Sequence, residues 1–431
     1  MIKGVLHSVR TDAQYRGSVL LLANTVFLAG FGFVFWTLAA RGYPDTSVGR
    51  LAAVTAAVNL LGTFAALGLP NTIIRHLKEE ANPRELLVLI VFATGAVGGL
   101  LALLGLLLVG PVLPSDMALQ HGGGSAALVT ALVVLTAVNS AFDAGLVAVR
   151  AIGALTLKNL TGSVLKIVAL FLLSGFGSAG LIAAYGTGTI VAAVLGGWAL
   201  WRRVAPVPHR SGSIAVLRRY LAFSAGNYVG TVFGILPSTI VPLQVLAVRG
   251  EAATAWFAVA FQLVGFLNFI PSTASQVMFA EARQGGLISY FRKAFKSIYV
   301  LLVPAALAMF LAAPYLLMAF GREYSDNATG VLRILALGSL LTAGNYLVDA
   351  ALIARDHTRS YMFMNATNSA LVLVLTGLLL SYGLVQGALG WVLAQGLSLL
   401  IGLFMLMVAF RHRRPSRFRP AQAAPAQSEA A

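Results

Sequence analysis

Two stretches of the sequence place the same acidic side chain inside long apolar segments. The chain reads NSAFDAGLVAVR from Asn139 and NYLVDAALIAR from Asn345, so Asp143 and Asp349 each follow an Asn by four residues. Residues four apart share one face of a helix. A charge at the centre of a membrane helix costs about 2.5–3.5 kcal/mol on insertion scales, so such an acid is retained where it faces protein or water. The pattern therefore predicts two buried acids, each able to pair with a cation or bind a proton.

The composition indicates a polytopic membrane protein. Of the 431 residues, 58% are hydrophobic and only 10% are charged, and the mean hydropathy is +0.86, whereas a soluble globular chain is roughly a quarter charged. The sequence contains no Cys, which excludes disulfides, thiolate metal sites and cysteine nucleophiles. We interpret the net charge of +16 as basic loops facing anionic lipid, and we expect no nucleic-acid partner.

Apolar segments long enough to cross a bilayer recur along the whole chain. About 20 apolar residues are needed for one helix to cross the hydrocarbon. The sequence predicts an all-α fold with about twelve such helices, near residues 18–40, 51–70, 86–110, 126–149, 157–174, 178–201, 220–247, 253–279, 297–320, 329–354, 360–381 and 385–410.

Lys and Arg are distributed unevenly between the two sides of these spans. With the N-terminus in the cytoplasm, the cytoplasmic segments hold 24 of the 30 basic residues and the outer ends hold five, with Lys166 left inside a span. Because cytoplasmic loops carry an excess of Lys and Arg, we predict an even number of spans with both termini cytoplasmic.

The two halves of the sequence resemble each other. At an offset of 206, Asn139 aligns with Asn345, Asp143 with Asp349, and NLTGSVL from Asn159 with NATNSAL. Each half has six spans and enters the membrane the same way, so the repeat is parallel. The predicted divisions are a cytoplasmic N-terminus (1–17), an N-lobe (18–201), a basic cytoplasmic linker (202–219), a C-lobe (220–410) and a basic, then disordered, cytoplasmic tail (411–431).

Several short motifs occur in a characteristic order. They are RGYPDTSVGRLAAV after span one, GLPNTIIRHL at the end of span two, FGREYSDNATGVLRILALG leading into span ten, and the D…AR ending of that span. Their order resembles the Wzx-type polysaccharide flippases, in the superfamily that also holds the multidrug and toxin extrusion transporters and the lipid II flippases. The resemblance implies two six-helix lobes around a central cavity, a polyprenyl-diphosphate-linked oligosaccharide as substrate, and movement between the leaflets of a bacterial plasma membrane by alternating access. It makes membrane lipid, a polysaccharide polymerase and glycosyltransferases candidate partners.

Flipping a lipid-linked glycan changes no covalent bond, so it requires no nucleophile, metal or cofactor. The sequence agrees with a protein that is not an enzyme, since it has no P-loop, no clustered His and no paired acids in an aqueous loop. The main alternative is a cation-coupled multidrug exporter of the same fold, which aromatic and acidic cavity walls would favour, whereas basic and amide-rich walls favour the glycolipid. A glycan polymerase or ligase would need a large outer loop, and a channel would need a filter segment.

Three ionisable residues lie deep within predicted spans: Asp143, Lys166 and Asp349. Asp143 and Lys166 lie roughly 10–12 Å from the cytoplasmic ends of consecutive helices, at about 1.5 Å per residue, so we predict that they pair. That pair could be purely structural and hold spans four and five together. Val372 matches Lys166 in the second half, which leaves Asp349 without a cation and makes it the candidate site for H⁺ or Na⁺ coupling.

Other polar residues and prolines in the spans are candidates for the transport path. Pro237 and Pro242 remove helix hydrogen bonds and predict either a gating kink or a static one. Arg75 closes span two, where it could meet a diphosphate or lipid headgroups. Buried amides could line a glycan path or simply bond neighbouring helices. The full set of substrate-path candidates is Asn24, Arg75, Asn227, Gln244, Gln262, Asn268 and Gln276.

Overall fold

The computed structural model describes the backbone of residues 13–78, 80, 82–109, 123–204, 214–282, 287–354 and 357–411. Every regular element in these ranges is helical. The helices are α1 (Ala13–Gly42), α2 (Asp45–Ala66), α3 (Leu69–His76), α4 (Pro83–Val109), α5 (Gly123–Ala148), α6 (Ile152–Leu172), α7 (Gly177–Trp201), α8 (Ile214–Ala282), α9 (Leu287–Met318), α10 (Arg322–Ala354), α11 (Thr358–Leu380) and α12 (Leu384–Arg411), with one 3₁₀ turn (Ser174–Phe176).

The prediction of about twelve membrane helices is confirmed. Eleven helical segments of the described chain are long and apolar enough to span a membrane, and one of them runs for 48 residues within α8. Gly250 interrupts α8 with φ 82° and ψ −174°, a conformation open to glycine because it has no Cβ. A continuous helix of that length would extend to roughly twice the thickness of a bilayer core. The two arms of α8 are therefore two spans, and the described part of the chain has twelve.

The two halves repeat local backbone structure as well as sequence. α5 ends at residue 148 and α10 at residue 354, which are 206 positions apart. Just beyond α5, the N–H of Ala151 donates to the carbonyl of Leu146 at 2.8 Å. At the same offset beyond α10, the N–H of His357 donates to the carbonyl of Leu352 at 3.0 Å. The same helix-ending bond therefore occurs at matching positions in the two six-span lobes.

Some element ends differ from the predicted divisions. α1 begins at Ala13, within the predicted N-terminal segment, and α8 begins at Ile214, within the predicted linker. α6 begins at Ile152, five residues before the predicted start of span five. The tail beyond Arg411 lies outside the described residues.

The buried apolar core shows how the lobes meet. One cluster, which includes Phe35, Phe257 and Tyr324, draws on both lobes at one end of the bundle. At the other end the core divides into two clusters, one built around Ile73 and confined to the N-lobe, the other built around Leu347 and confined to the C-lobe. We call these the closed end and the separated end. Among the residues that the structure describes, the lobes share an apolar core at the closed end only.

Polar contacts also join the lobes at the closed end. Arg50 on α2 forms an ion pair with Glu251 on α8 at 2.7 Å, and the indole N–H of Trp256 donates to Asp45 at 2.6 Å. Towards the separated end, the Tyr228 hydroxyl of the C-lobe donates to two backbone carbonyls in the last turn of α2, at 3.0 and 2.7 Å. The closed end is therefore held by charge-assisted bonds as well as by apolar packing.

Candidate functional site

A central cavity of about 370 Å³ lies between the lobes. Its walls come from α1, α2 and α5 on one side and from both arms of α8 on the other. Hydroxyl and amide groups are mixed with apolar and aromatic groups, and the lining residues that the structure describes include no Lys, Arg, Asp or Glu. The polar and aromatic lining consists of Trp36, Thr55, Asn59, Thr63, Thr136, Ser238, Thr239, Phe261 and Gln262.

A second cavity of about 360 Å³, the acidic cavity, lies within the C-lobe beside the first. Ser238 and Phe261 line both cavities, so the two share one wall. Amides dominate its polar lining, together with a single carboxylate and several aromatic rings. The amides are Asn268, Asn345, Asn365, Asn368 and Gln395, the carboxylate is Asp349, and the rings are Phe261, Tyr346, Tyr361 and Trp391.

Asp349 has one described hydrogen bond and no cationic partner. Its Oδ1 accepts a bond from the Asn365 amide at 3.2 Å, and no ion pair involves it in the described part of the chain. Asn345, one turn earlier on α10, donates to the Gln395 side chain at 2.7 Å. A carboxylate that lines a cavity without a counter-charge has capacity to bind a proton or a small cation.

The two predicted kink residues lie on the walls of these cavities. Pro237 lines the acidic cavity and Pro242 the central one. Pro237 has no N–H, so it leaves the carbonyl of Phe233, four residues earlier, without its helical donor. The Ser369 hydroxyl of α11 donates to that carbonyl. The carbonyl that Pro237 leaves without a helical donor thus connects α8 to α11. A role for either proline in gating stays a prediction.

In the N-lobe, Asp143 is paired with Lys158, and the prediction that Lys166 is its partner is wrong. The Lys158 ammonium lies 2.6 Å from Asp143 Oδ1 and donates to Asn139 Oδ1 at 2.7 Å. Its side chain is 1% exposed. The predicted span five begins near residue 157, which puts Lys158 at a cytoplasmic end, whereas α6 begins at Ile152 and carries Lys158 into the bundle. Without Lys158, the predicted cytoplasmic segments hold 23 basic residues and the outer ends hold five, so the charge bias persists.

Lys166, the expected partner of Asp143, lies elsewhere in the lobe. Its ammonium is 5.1 Å from the centre of the Phe35 ring and 5.7 Å from that of Tyr185. A cation over aromatic faces is stabilised by the ring quadrupoles. Aromatic rings therefore take the place of the predicted carboxylate.

Lys158 matches Met364 of the C-lobe at the offset of 206, and the two side chains occupy equivalent places. A Cβ built on Gly196 would lie 3.0 Å from Lys158 Cδ, and a Cβ built on Gly402 would lie 2.7 Å from Met364 Cε. Both pairs match at the offset of 206. Each half therefore packs a long, unbranched side chain against a glycine of its last span, but only the N-lobe side chain carries a charge.

The substrate-path candidates divide into four groups. Gln262 lines the central cavity and Asn268 the acidic one. Asn24 instead accepts a bond from Asn159 at 3.2 Å, and Gln244 donates to the Leu373 carbonyl at 3.0 Å, so both connect helices. Arg75 is exposed on α3, and the side chains of Asn227 and Gln276 lie outside the described residues.

Several cavity residues were missed because their types carry no signal of their own. Trp36, Tyr346, Tyr361 and Trp391 line the cavities, yet aromatic residues are equally common on lipid-facing surfaces. Asn59 was detectable, since it is a lone amide in an apolar span. No group of three or more His, Asp or Glu that could hold a metal occurs among the described residues.

The fold is shared with solved membrane transporters. A lipid II flippase, MurJ, in an inward closed conformation superposes with a TM-score of 0.75 at 12% identity, over 90% of this chain and 87% of that one. An inward-facing multidrug resistance MATE family transporter of the MOP superfamily gives a TM-score of 0.70 at 15% identity, over 90% and 96% of the chains. An outward-facing transporter of the same description gives 0.62 at 16% identity, over 95% and 98%.

These likenesses define the chain as a multi-pass membrane protein with the fold of MOP superfamily transporters. No protein-family model matches the sequence, and no curated protein matches it.

Proposed function

We propose that the protein flips a polyprenyl-diphosphate-linked oligosaccharide between the leaflets of a bacterial plasma membrane, for assembly of a cell-surface polysaccharide. It works by alternating access, with the closed end and the separated end opening in turn. The observation that carries this proposal is the amide- and hydroxyl-rich lining of the two adjoining cavities. Such groups donate to and accept from sugar hydroxyls, and each unpaired buried one costs about 1–3 kcal/mol, which favours a polar, uncharged occupant.

The glycan is the part of the substrate that these cavities fit. No basic residue lines either cavity among the described residues, so neither is built to hold the diphosphate. The diphosphate therefore stays near the basic residues at the separated end until the lobes exchange positions, and the polyprenyl tail remains in lipid.

A second candidate function is export of lipophilic cations coupled to an ion gradient. The observation favouring it is the composition of the acidic cavity, where Asp349 lies among Phe261, Tyr346, Tyr361 and Trp391. A carboxylate and aromatic faces together attract an organic cation.

Reconstitution separates the two functions. Liposomes containing the purified protein should move a fluorescent lipid-linked oligosaccharide between leaflets and should not accumulate a lipophilic cation dye. Asn59→Leu and Gln262→Leu should each reduce flipping by about tenfold, because each removes hydrogen bonds from the central cavity. Asn327→Leu, which changes an exposed amide of α10, serves as the control. Dye transport without glycolipid flipping would establish the exporter instead.

We also propose that the separated end and both termini face the cytoplasm. Tyr382 is 78% exposed at the turn between α11 and α12, so a Cys there should react with an impermeant thiol reagent outside intact cells. A Cys at Arg203, exposed at the separated end, should react only after permeabilisation. The chain has no native Cys to give a background, and the opposite labelling pattern would invert the topology.

With both termini cytoplasmic, the sequence also predicts labelling from outside at positions 121 and 324 and protection at positions 209 and 415. Positions 121, 209 and 415 lie outside the described residues. Tyr324 is unsuited to labelling, because it is 1% exposed and packs into the core shared by the lobes.

A further inference from the structure

A groove of about 560 Å³ opens on the N-lobe surface at the separated end, away from the two cavities. It is lined by α4, α5 and α7, and almost all of its lining is apolar. Its floor is the Phe142 ring, which fits there because Gly197 has no side chain: a Cβ on Gly197 would lie 3.1 Å from the ring. Val88, Phe92 and Trp198 form its exposed walls. None of the residues lining this groove lines either cavity.

Two stacked Arg–Trp pairs stand at the end of the groove. The Arg84 guanidinium lies 4.6 Å from the Trp201 ring centre, and the Arg202 guanidinium lies 4.4 Å from that of Trp198. Arg84 also donates to the carbonyl oxygens of Trp201 at 3.0 Å and Val204 at 2.6 Å, which fixes its position. In the described part of the chain, neither guanidinium forms an ion pair with a carboxylate.

We propose that this groove is a binding site for one anionic phospholipid of the leaflet at the separated end. An acyl chain lies against Phe92, Phe142 and Trp198, and the headgroup phosphate accepts hydrogen bonds from Arg202 and from the free N–H groups of Arg84. Charge complementarity selects an anionic headgroup, because two unneutralised guanidinium groups stand at the level where Trp and Arg meet lipid headgroups.

The position of the groove gives the bound lipid a structural effect. Phe142 immediately precedes Asp143, and Gly197 immediately follows Gly196, which contacts Lys158. An acyl chain in the groove therefore presses on the same α5–α7 contact that encloses the buried ion pair. Binding to the folded state raises its stability by mass action.

Native mass spectrometry and thermal unfolding of the delipidated full-length protein in detergent test the proposal. Phosphatidylglycerol should bind as one tightly held molecule and raise the unfolding temperature more than phosphatidylcholine does. Arg202→Gln should weaken phosphatidylglycerol binding by about tenfold. Val88→Trp, at an exposed position of the groove wall, should abolish the bound lipid by filling the groove.

The matched control is Arg292→Gln, which removes one exposed positive charge at the separated end of the C-lobe and should leave binding unchanged. Equal loss in Arg202→Gln and Arg292→Gln would overturn the site in favour of general charge attraction. Displacement of phosphatidylglycerol by an equimolar polyprenyl phosphate would overturn the phospholipid assignment and make the groove a substrate site.

Discussion

Asp349→Asn should make transport independent of a proton or sodium gradient while leaving the yield of folded protein close to that of the wild type. Asp349 lines the acidic cavity, accepts one bond from Asn365 and has no described cationic partner. Asn keeps the size of the side chain and an acceptor for that bond, but it neither titrates nor supplies a negative charge.

The other titratable groups of the acidic cavity are Tyr346 and Tyr361, and no Lys, Arg or His lines it among the described residues. The wild-type rate should therefore change as pH or Na⁺ alters the occupancy of this one carboxyl, whereas Asp349→Asn should give a flat profile. Phe substitutions of the two tyrosines should preserve the gradient dependence.

Liposomes with an imposed pH or Na⁺ gradient provide the measurement. Asp326→Asn is the control, because Asp326 is an exposed aspartate on the same helix and its loss should leave coupling intact. If Asp349→Asn retains the gradient dependence of the wild type, Asp349 does not couple the ion.

Asp143→Asn should have the opposite effect and greatly reduce the amount of folded protein. It leaves the Lys158 ammonium buried without its counter-charge, although the bond to Asn139 remains. Breaking a buried ion pair by removing one partner costs about 3–5 kcal/mol. The Asp143 side chain is 39% exposed, so we expect the lower end of that range.

Lys158→Met combined with Asp143→Asn should restore most of the lost yield. Met364 occupies the matching place in the C-lobe, against Gly402, so the fold already accommodates a methionine there. Lys166→Val, in contrast, should not rescue Asp143→Asn, because the Lys166 ammonium lies over aromatic rings and not beside Asp143.

The yield of monodisperse protein and its thermal unfolding in detergent measure both effects. If Asp143→Asn with Lys158→Met is no more stable than Asp143→Asn alone, the unpaired Lys158 ammonium is not the cause of the lost stability. Rescue of Asp143→Asn by Lys166→Val would instead support the Asp143–Lys166 pair that the sequence predicts.

The number of helices and their repetition could be predicted from the sequence because both depend on local properties. Span length follows from the apolar thickness of the bilayer, and Asp143 and Asp349 mark the repeat without any knowledge of packing. The ion-pair partner could not be predicted in this way. Lys158 lies near a helix start, and its depth depends on α6 beginning at Ile152, a boundary that hydropathy does not define sharply.

The cavity walls were predictable only in part, for a related reason. Gln262 and Gln244 are both amides on α8, yet Gln262 lines the central cavity and Gln244 bonds to α11. Which way each points depends on the rotation of α8 against its neighbours, and the hydrophobic pattern of a segment that is apolar on all sides does not specify that rotation.

The turn at Gly250 joins the two arms of α8 directly. No loop separates them, so little slack exists to absorb a displacement of one arm relative to the other. The first arm carries Pro237 and the second carries Asn268, and both line the acidic cavity. Under the proposed alternating access, movement of Glu251 away from Arg50 at the closed end would displace two walls of the acidic cavity, which contains Asp349. The proposed ion site would then be mechanically coupled to the far end of the bundle through Gly250.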